Sequence, residues 1–137
     1  MNTLVQSALL GATTGIRSTS GTFAARWAQA DRLPIGSAMA LGGEMVADKL
    51  PFVPSRTTPG GLAPRLGGAI YAVRSAIKRP TPAAYAVAAV AAIATAFAAS
   101  RARKMISERT DVPDVLVGLA EDAIVAGLTW AVVRAAR

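Results

Sequence analysis

Five ionisable side chains interrupt apolar stretches of the chain. They are two acids four residues apart, two adjacent acids much later, and one arginine near the start: Glu44, Asp48, Glu121, Asp122 and Arg17. Within a bilayer each such group costs on the order of 2.5–3.5 kcal/mol, so such groups are usually paired or face water. The pattern therefore allows a polar pathway or an ion site. The alternative is a set of buried arginine–carboxylate pairs that fix the register of the helices.

The first pair of acids is expected to face the interior of a helix bundle. Glu44 and Asp48 continue the four-residue spacing of Gly36 and Ala40, so all four share one helix face. Small residues on such a face permit close helix packing. We therefore expect both carboxylates to lie in the packed seam.

Two short segments combine hydroxyl and basic side chains. Ser18 follows Arg17 in the first, whereas the second contains Ser55 and Arg56 shortly after Lys49. Hydroxyl groups, guanidinium groups and helix-start amides are the donors that phosphate oxygens need, so a lipid phosphate or another anion could bind there. The alternative is that both segments simply cap helices at the headgroup layer.

Most familiar catalytic machinery is absent from the sequence. The chain has no cysteine and no histidine, which excludes disulfides, thiol nucleophiles, Cys/His zinc sites and histidine-based acid–base pairs. It also lacks a Walker lysine motif, a dinucleotide fingerprint and a nucleophile elbow. We therefore expect no enzymatic activity, no cofactor and no dedicated metal site.

The composition is typical of a helical membrane protein. Of 137 residues, 53% are apolar and 17% are charged, and 31 are alanine, whereas lysine, glutamine and asparagine together number only 6. The net charge is +7, but the basic residues form no patch interleaved with aromatic residues. Anionic lipid headgroups are therefore a simpler partner than nucleic acid. We expect one all-α domain over residues 1–137.

Five helices are predicted, and the fourth is the clearest. Residues 80–100 are 21 uncharged positions, close to the ~20 that span a bilayer, which predicts a transmembrane helix over 82–107. Thr81 is its predicted cap, and Pro82 suits its first turn. The other predicted helices cover 3–29 as one long or one broken helix, 36–50, 62–78 and 115–133. The predicted fold class is thus a polytopic bundle of about four to five helices.

Small residues recur at helical spacing in every predicted helix, which permits the close van der Waals packing by which helices associate in lipid. The stripes are Gly11 and Gly15; Gly36, Ala40, Gly43 and Ala47; Gly68, Ala72 and Ala76; Ala84, Ala88, Ala92, Thr95 and Ala99; and Ala120, Ala123, Gly127 and Ala131.

The two ends of the chain share a short pattern that suggests an internal repeat. A small-x3-small-x-Arg motif ends at Arg17 and again at Arg101, and each is followed by a helix with an acid, Glu44 or Glu121, after a small residue. The first two helices would then repeat as the last two, inverted around a central helix, as in many transporters. In this hypothesis the two glutamates are related acids and the two arginines are their counter-charges.

The basic residues divide almost evenly between the two sides of a five-span topology. One side would hold six of them, Arg32, Arg74, Lys78, Arg79, Arg134 and Arg137, and the other seven, Lys49, Arg56, Arg65, Arg101, Arg103, Lys104 and Arg109. Because orientation follows the Lys/Arg excess, near balance permits insertion both ways and an antiparallel homodimer. The alternative is that the helix count is wrong by one.

One string is more specific than any argument from composition. It reads Gly-Glu-Met-Val-Ala-Asp-Lys-Leu-Pro over 43–51, with Pro-Ser-Arg-Thr over 54–57. Together with residues 15–18, 101–104 and 121–122, it makes nearly the whole chain resemble a bacterial family of small membrane proteins of unknown function. The resemblance implies a single-domain protein of the inner membrane and no particular activity. The signature positions it implies are Arg17, Glu44, Asp48, Lys49, Pro51, Ser55, Arg56, Arg101 and Glu121.

Two functional hypotheses follow. The first is a small α-helical transporter or channel that forms homo-oligomers. Its acids and arginines would line a path for an ion or a small polar or anionic solute. The second is a non-transporting membrane subunit or lipid-binding scaffold, in which basic ends hold anionic headgroups and small-residue seams dock partner helices. The residues expected to bind solute or ion are Arg17, Ser18, Glu44, Asp48, Lys49, Ser55, Arg56, Arg101, Glu121 and Asp122.

Overall fold

The computed structural model describes residues 1–48, 50 and 55–136, and over these residues the chain is all-helical, as predicted. Lys49, Pro51 and Arg137, which the sequence analysis singled out, lie outside the described residues. The helices of the described part are α1 (Thr3–Ile16), α2 (Ser20–Gln29), α3 (Ile35–Ala47), α4 (Pro59–Ala76), α5 (Pro82–Arg109) and α6 (Asp114–Ala136).

These six helices exceed the predicted four to five because the first predicted helix is broken. Arg17 adopts an extended backbone (φ −133°, ψ 121°), which ends α1. Ser20 then turns the chain, since its hydroxyl donates to the carbonyl oxygens of Thr13 and Arg17, each at 2.7 Å. As a result α2 folds back along α1, with Gly21 against Thr14.

The start of α5 follows the sequence signals. The Thr81 hydroxyl accepts a hydrogen bond from the backbone N–H of Ala84 at 3.3 Å, which confirms the predicted cap, and Pro82 occupies the first helical position. Pro59 begins α4 in the same manner, after an extended Thr58. The ends of α5 and α6 lie within three residues of the predicted ends.

Close packing of α1 along α5 forms the centre of the fold. A Cβ atom at Gly11 would collide with the backbone of Ala88, and one at Gly15 would collide with Ala92, so the two helices approach at their backbones. Ala84, Ala88, Ala92 and Ala96 are fully buried along this line. The small residues of α1, α4 and α5 thus pack as predicted, whereas Gly36, Ala40, Gly127 and Ala131 lie on exposed faces.

The direction of this packing differs from the predicted inverted repeat. Gly11 lies at Ala88 and Gly15 at Ala92, four residues on in both helices, so α1 and α5 run in the same direction. A repeat that pairs the first helix with the fourth predicted helix requires these two to run in opposite directions.

The helices bring two groups of charged residues to opposite ends of the bundle. At the network end, Arg17, Glu44, Arg65 and Arg103 lie where α1 and α3 finish and α2 and α4 begin. At the basic end, Gln29 donates to the carbonyl oxygen of Ser75, and the rings of Trp27 and Trp130 are 6.3 Å apart. The cations near this end are all exposed: Arg26, Arg32, Arg74, Lys78, Arg79 and Arg134.

Of the described helices, α5 and α6 are long and apolar enough to cross a membrane. Only 22% and 33% of their most apolar 18-residue windows are buried within the chain, so most of each window faces outward. The helices α1, α2 and α3 have 14, 10 and 13 residues, well short of the ~20 that span a bilayer. The remaining helix, α4, has 18 residues but is not apolar enough to be a candidate span.

A glycine-to-alanine substitution tests the contact between α1 and α5. We expect Gly11→Ala to lower the free energy of unfolding by about 1–3 kcal/mol, because the new methyl group must push apart two backbones. Thermal unfolding of detergent-solubilised protein, followed by circular dichroism, measures this loss.

Gly42→Ala is the matched control, since a Cβ atom at this exposed position of α3 meets nothing within 4 Å. Alanine also favours helix over glycine by up to about 1 kcal/mol, so this variant should be as stable as the unsubstituted chain or more so. Equal stability of the two variants would contradict the described packing.

Candidate functional site

Arg17 lies at the centre of a buried ion-pair network. Its side chain is 1% exposed, at the break between α1 and α2. It donates to Oδ1 of Asp122 on α6 from Nε at 3.0 Å and from Nη2 at 2.5 Å, and its Nη1 donates to Oδ2 of Asp48, just beyond α3. Loss of one partner from a buried ion pair leaves an uncompensated charge, so this arginine holds three parts of the chain together.

Two further arginines extend the network toward α5. Arg56 forms a bidentate pair with Glu121, at 3.1 and 3.0 Å, and its Nη2 is 3.9 Å from Oδ2 of Asp48. Arg103 pairs with Asp114 in the same way, at 2.7 and 2.5 Å, and its Nη1 is 3.6 Å from Oε2 of Glu121. The planar guanidinium group suits such two-point contacts. The shared carboxylates make the network continuous across α3, α5 and α6.

Glu44 has a different role, because it caps the start of α2 from a neighbouring helix. Its Oε1 accepts from the backbone N–H and the hydroxyl of Ser18, at 2.6 and 2.7 Å, and its Oε2 accepts from the same two groups of Thr19, at 2.8 and 2.6 Å. Burial raises the pKa of Glu44, but these hydrogen bonds outweigh it and hold the pKa below its usual value. Glu44 is therefore charged, and both of its oxygens are occupied.

Arg65 is buried without an ion pair among the described residues. It is 5% exposed and lies on α4, four residues after Gly61. Its Nε donates to the carbonyl oxygen of Gly15 at 3.0 Å, and its Nη1 donates to that of Gly61 at 2.6 Å. The first of these carbonyls belongs to the last turn of α1, which carries the negative end of the helix dipole.

A pocket of about 460 Å³ opens beside this network, within the range of small-molecule sites. Parts of α3, α4 and α5 surround it, together with the segment before α4. Its lining includes Ser18, Glu44, Asp48, Ser55, Arg56, Arg65, Ser100 and Arg103. A second cavity of about 280 Å³ adjoins Arg17, Asp48, Arg103 and Asp114 on the other side of the network.

The structure brings together most of the residues predicted to form a site. Within the described chain, the network and its pocket include Arg17, Ser18, Glu44, Asp48, Ser55, Arg56, Glu121 and Asp122. Arg101 is exposed and lies outside both, in a shallow groove with Thr57 and Lys104. Lys49 lies outside the described residues.

The predicted pairing within this set differs from the observed one. Glu44 contacts no arginine among the described residues, because its oxygens accept from Ser18 and Thr19, and Arg17 pairs with Asp48 and Asp122 instead. The two glutamates are therefore not equivalent acids, since Glu121 alone of the two pairs with arginines.

The predicted face of α3 is also displaced by one residue. Leu41 is its buried position, and Ser37 and Glu44 on the same side are half-buried, whereas Gly36 and Ala40 face outward. A helix advances by 3.6 residues per turn, so a spacing of four drifts around the axis over three turns. Glu44 and Asp48 consequently reach the seam without the two small residues.

Arg65, Arg103 and Asp114 are site residues that the sequence analysis did not select. Both arginines continue a buried stripe. Arg65 lies four residues after Gly61 and four before Ala69, and Arg103 lies seven residues after Ala96. Extension of the small-residue stripes into the charged segments is the signal that identifies them, and the same register places Arg101 outside.

No group of three acidic side chains in the described part of the chain is placed to hold a metal ion. No family model, no curated protein and no solved structure matches this chain. Helix content and the site itself therefore define the class: over its described residues, a helical protein with two membrane-length helices and a buried charge network at one end.

Substitution of Glu44 tests its capping role. We expect Glu44→Gln to lower the free energy of unfolding by about 1–3 kcal/mol, because the amide NH2 would replace an oxygen that now accepts from a backbone N–H and a hydroxyl. Thermal unfolding in detergent measures the loss.

Glu108→Gln makes the same chemical change on the exposed surface of α5, where the only described ion pair of this glutamate is with Lys104 at 3.8 Å. Its effect should stay within about 0.5 kcal/mol. A Glu44 variant as stable as this control would show that the four hydrogen bonds contribute little.

Proposed function

We propose that this chain is a multi-pass protein of the bacterial inner membrane that carries an ion or a small polar or anionic solute. The observation that carries the proposal is the pocket of about 460 Å³ beside a continuous network of buried arginines and carboxylates. Such groups are costly at membrane depth and mark substrate or ion pathways when they line a cavity.

Exposed apolar surface on α5 and α6 supports the membrane part of the proposal. Val90, Leu119, Ile124 and Trp130 are 66%, 52%, 55% and 55% exposed, which is unfavourable for large apolar groups in water and favourable in lipid. Both helices also exceed the length that a bilayer needs. The exposed small residues of α6 suit contact with a second copy, so the proposal includes a homo-oligomer.

The contrast between the two ends supports solute entry from the network end. The pocket lies at that end, whereas at the basic end the rings of Phe23, Trp27 and Trp130 stack at centroid distances of 5.4 and 6.3 Å. Between the ends, α1 and α5 are in backbone contact. Passage of a solute would then require a second state in which the aromatic cluster separates.

The distribution of exposed cations supports one orientation. Six exposed lysines and arginines lie near the basic end. Those exposed at the network end, in the part of the chain described, are Arg101, Lys104 and Arg109. Arg17, Arg56, Arg65 and Arg103 are instead held in the bundle. When only exposed lysines and arginines are counted, the two ends are no longer nearly balanced, because the basic end has more of them. We therefore place the basic end at the cytoplasmic face.

The lipid-binding scaffold remains the second candidate, and one observation favours it. Arg101 and Lys104 line an open groove with Thr57 and Phe97, which combines cations and a hydroxyl with an apolar ring. This combination suits a phospholipid headgroup and its first methylene groups. A scaffold of this kind requires no passage through the bundle.

An osmotic assay tests transport across four chemically different solutes. Vesicles containing the protein are shrunk in hyperosmotic potassium phosphate, potassium succinate, potassium chloride or glycerol, and light scattering follows their reswelling. We expect faster reswelling in at least one solute, and a reduction of about tenfold with Glu121→Gln, which breaks the pair with Arg56.

Glu108→Gln is the control for this assay, because it removes the same charge from an exposed site outside the network. Glu121→Gln must also keep its helical circular dichroism spectrum, since collapse of the fold would assign this acid a structural role. Reswelling equal to that of protein-free vesicles in all four solutes would favour the scaffold.

Single cysteines test the orientation cleanly because the chain has none of its own. Thr57→Cys lies at the network end, and Ala135→Cys lies at the exposed end of α6. With a membrane-impermeant thiol reagent we expect Ala135→Cys to react only from the cytoplasmic side and Thr57→Cys only from the other. Reaction of each cysteine from both sides would instead establish dual insertion and make an antiparallel dimer the working model.

A further inference from the structure

The pocket contains one buried cation whose charge is not neutralised by any described carboxylate in contact with it. Arg65 is 5% exposed, and its contacts are the carbonyl oxygens of Gly15 and Gly61. A guanidinium group has five N–H donors, so these two bonds leave three without a partner among the described residues. Carbonyl groups solvate a cation but do not cancel its charge, and burial of such a charge is costly.

The other arginines in the pocket wall are already engaged. Arg56 binds both oxygens of Glu121, and Arg103 binds both oxygens of Asp114. Arg65 is thus the guanidinium in the described pocket wall whose charge no contacting carboxylate neutralises, and it keeps three free N–H donors. Carboxylate and phosphate groups are the partners that match its planar fork.

The acids in the same wall do not favour a cation in place of an anion. Each carboxylate oxygen of Glu44 accepts two hydrogen bonds, Oε1 from Ser18 and Oε2 from Thr19. Asp48 is held by Arg17 and lies 3.9 Å from Nη2 of Arg56. A metal ion or an ammonium group would have to compete with these donors for both oxygens of Glu44 and for Oδ2 of Asp48.

Two features next to Arg65 add to the attraction for an anion. Gly60 and Gly61, in the first turn of the 18-residue helix α4, line the pocket and bring the positive end of the helix dipole to it. The hydroxyl of Ser100 lines the opposite wall, on α5. A Cβ atom at Gly61 would collide with the backbone of Ser55, so the close approach there requires glycine.

We propose that the pocket binds the oxyanion group of a small solute, a carboxylate or a phosphate, in a two-point contact with the guanidinium of Arg65. This inference deepens the proposed function by naming the class of solute, and it rests on that function only for the claim that the bound solute crosses the membrane. A phospholipid headgroup offers the same chemistry as a free phosphate.

Ligand-dependent stability of the detergent-solubilised full chain tests the binding. We expect the unfolding midpoint to rise by a few °C, and to saturate, with potassium phosphate or potassium succinate but not with potassium chloride at equal ionic strength. Arg65→Gln should abolish this rise. Arg74→Gln, the same change at an exposed position of the same helix, should preserve it.

Arg65 also bonds two carbonyl oxygens, so Arg65→Gln could fail to fold. A pocket-filling variant keeps the test decisive, because Ala47→Phe occupies the pocket without removing any described hydrogen bond of Arg65. Ala40→Phe on the same helix lines a different groove and is its control. We expect the response to be lost in the first and kept in the second.

Three results would overturn the inference. The first is a midpoint that neither phosphate nor succinate raises beyond chloride. The second is a response of Ala47→Phe equal to that of the unsubstituted chain. The third is a rise produced by magnesium or ammonium chloride in place of the potassium salts, which would assign the pocket to a cation.

A second arm distinguishes a soluble anion from a lipid. The chain is placed in vesicles of phosphatidylcholine alone or with one third phosphatidylglycerol, and its midpoint is measured with and without phosphate. A rise caused by phosphatidylglycerol and lost in Ala47→Phe identifies a headgroup as the oxyanion, whereas a rise that needs added phosphate identifies a soluble one. These experiments measure binding and not flux. Binding of the anion without reswelling in the osmotic assay would therefore overturn only the proposal of transport.

Discussion

Arg17 places a charge where four helix ends meet, and the arrangement of the network end depends on how that charge is held. The arginine ends α1, and its partners Asp48 and Asp122 follow α3 and lie within α6. An uncompensated guanidinium at 1% exposure would be strongly destabilising, so the positions of α3 and α6 are set by the need to deliver these carboxylates. Arg56 and Arg103 then use the adjacent acids. The pocket is the space left when the helices meet in this way.

Local sequence signals predicted the helices well because those signals act within a few residues. The Thr81 cap, the prolines at the starts of α4 and α5, and the stripe from Ala84 to Ala96 depend on neighbours in the same turn. The break at Arg17 could not be decided from the sequence, since Ser20 turns the chain through bonds to Thr13 and Arg17. The bond to Thr13 spans seven residues, about 10.5 Å along a continuous helix at 1.5 Å per residue, so it forms only once the chain has turned. The direction of α1 against α5 is a tertiary property that small residues alone do not encode.

The members of the charged site were easier to predict than their partners. Acids and arginines within apolar stretches are rare enough to be recognised individually, and most of those selected do converge. Their pairing depends on helix rotation, and two residues along α5 separate half-buried Arg103 from exposed Arg101. Glu44 illustrates the same limit. Its partners are the backbone N–H groups and hydroxyls of Ser18 and Thr19, just before α2, which no local pattern around Glu44 reveals.

For the membrane location proposed above, the spacing of these contacts along the chain has a consequence for synthesis. The start of α2 lacks its acceptor until Glu44 has been made, some 25 residues later, and Arg17 lacks Asp122 until 105 further residues have been added. The α1–α2 hairpin thus emerges from the ribosome with a charge and several amide groups that lipid cannot satisfy. Translation must reach α6 before the first helices can settle at their final depth. Until then, water or the insertion machinery has to provide the missing partners.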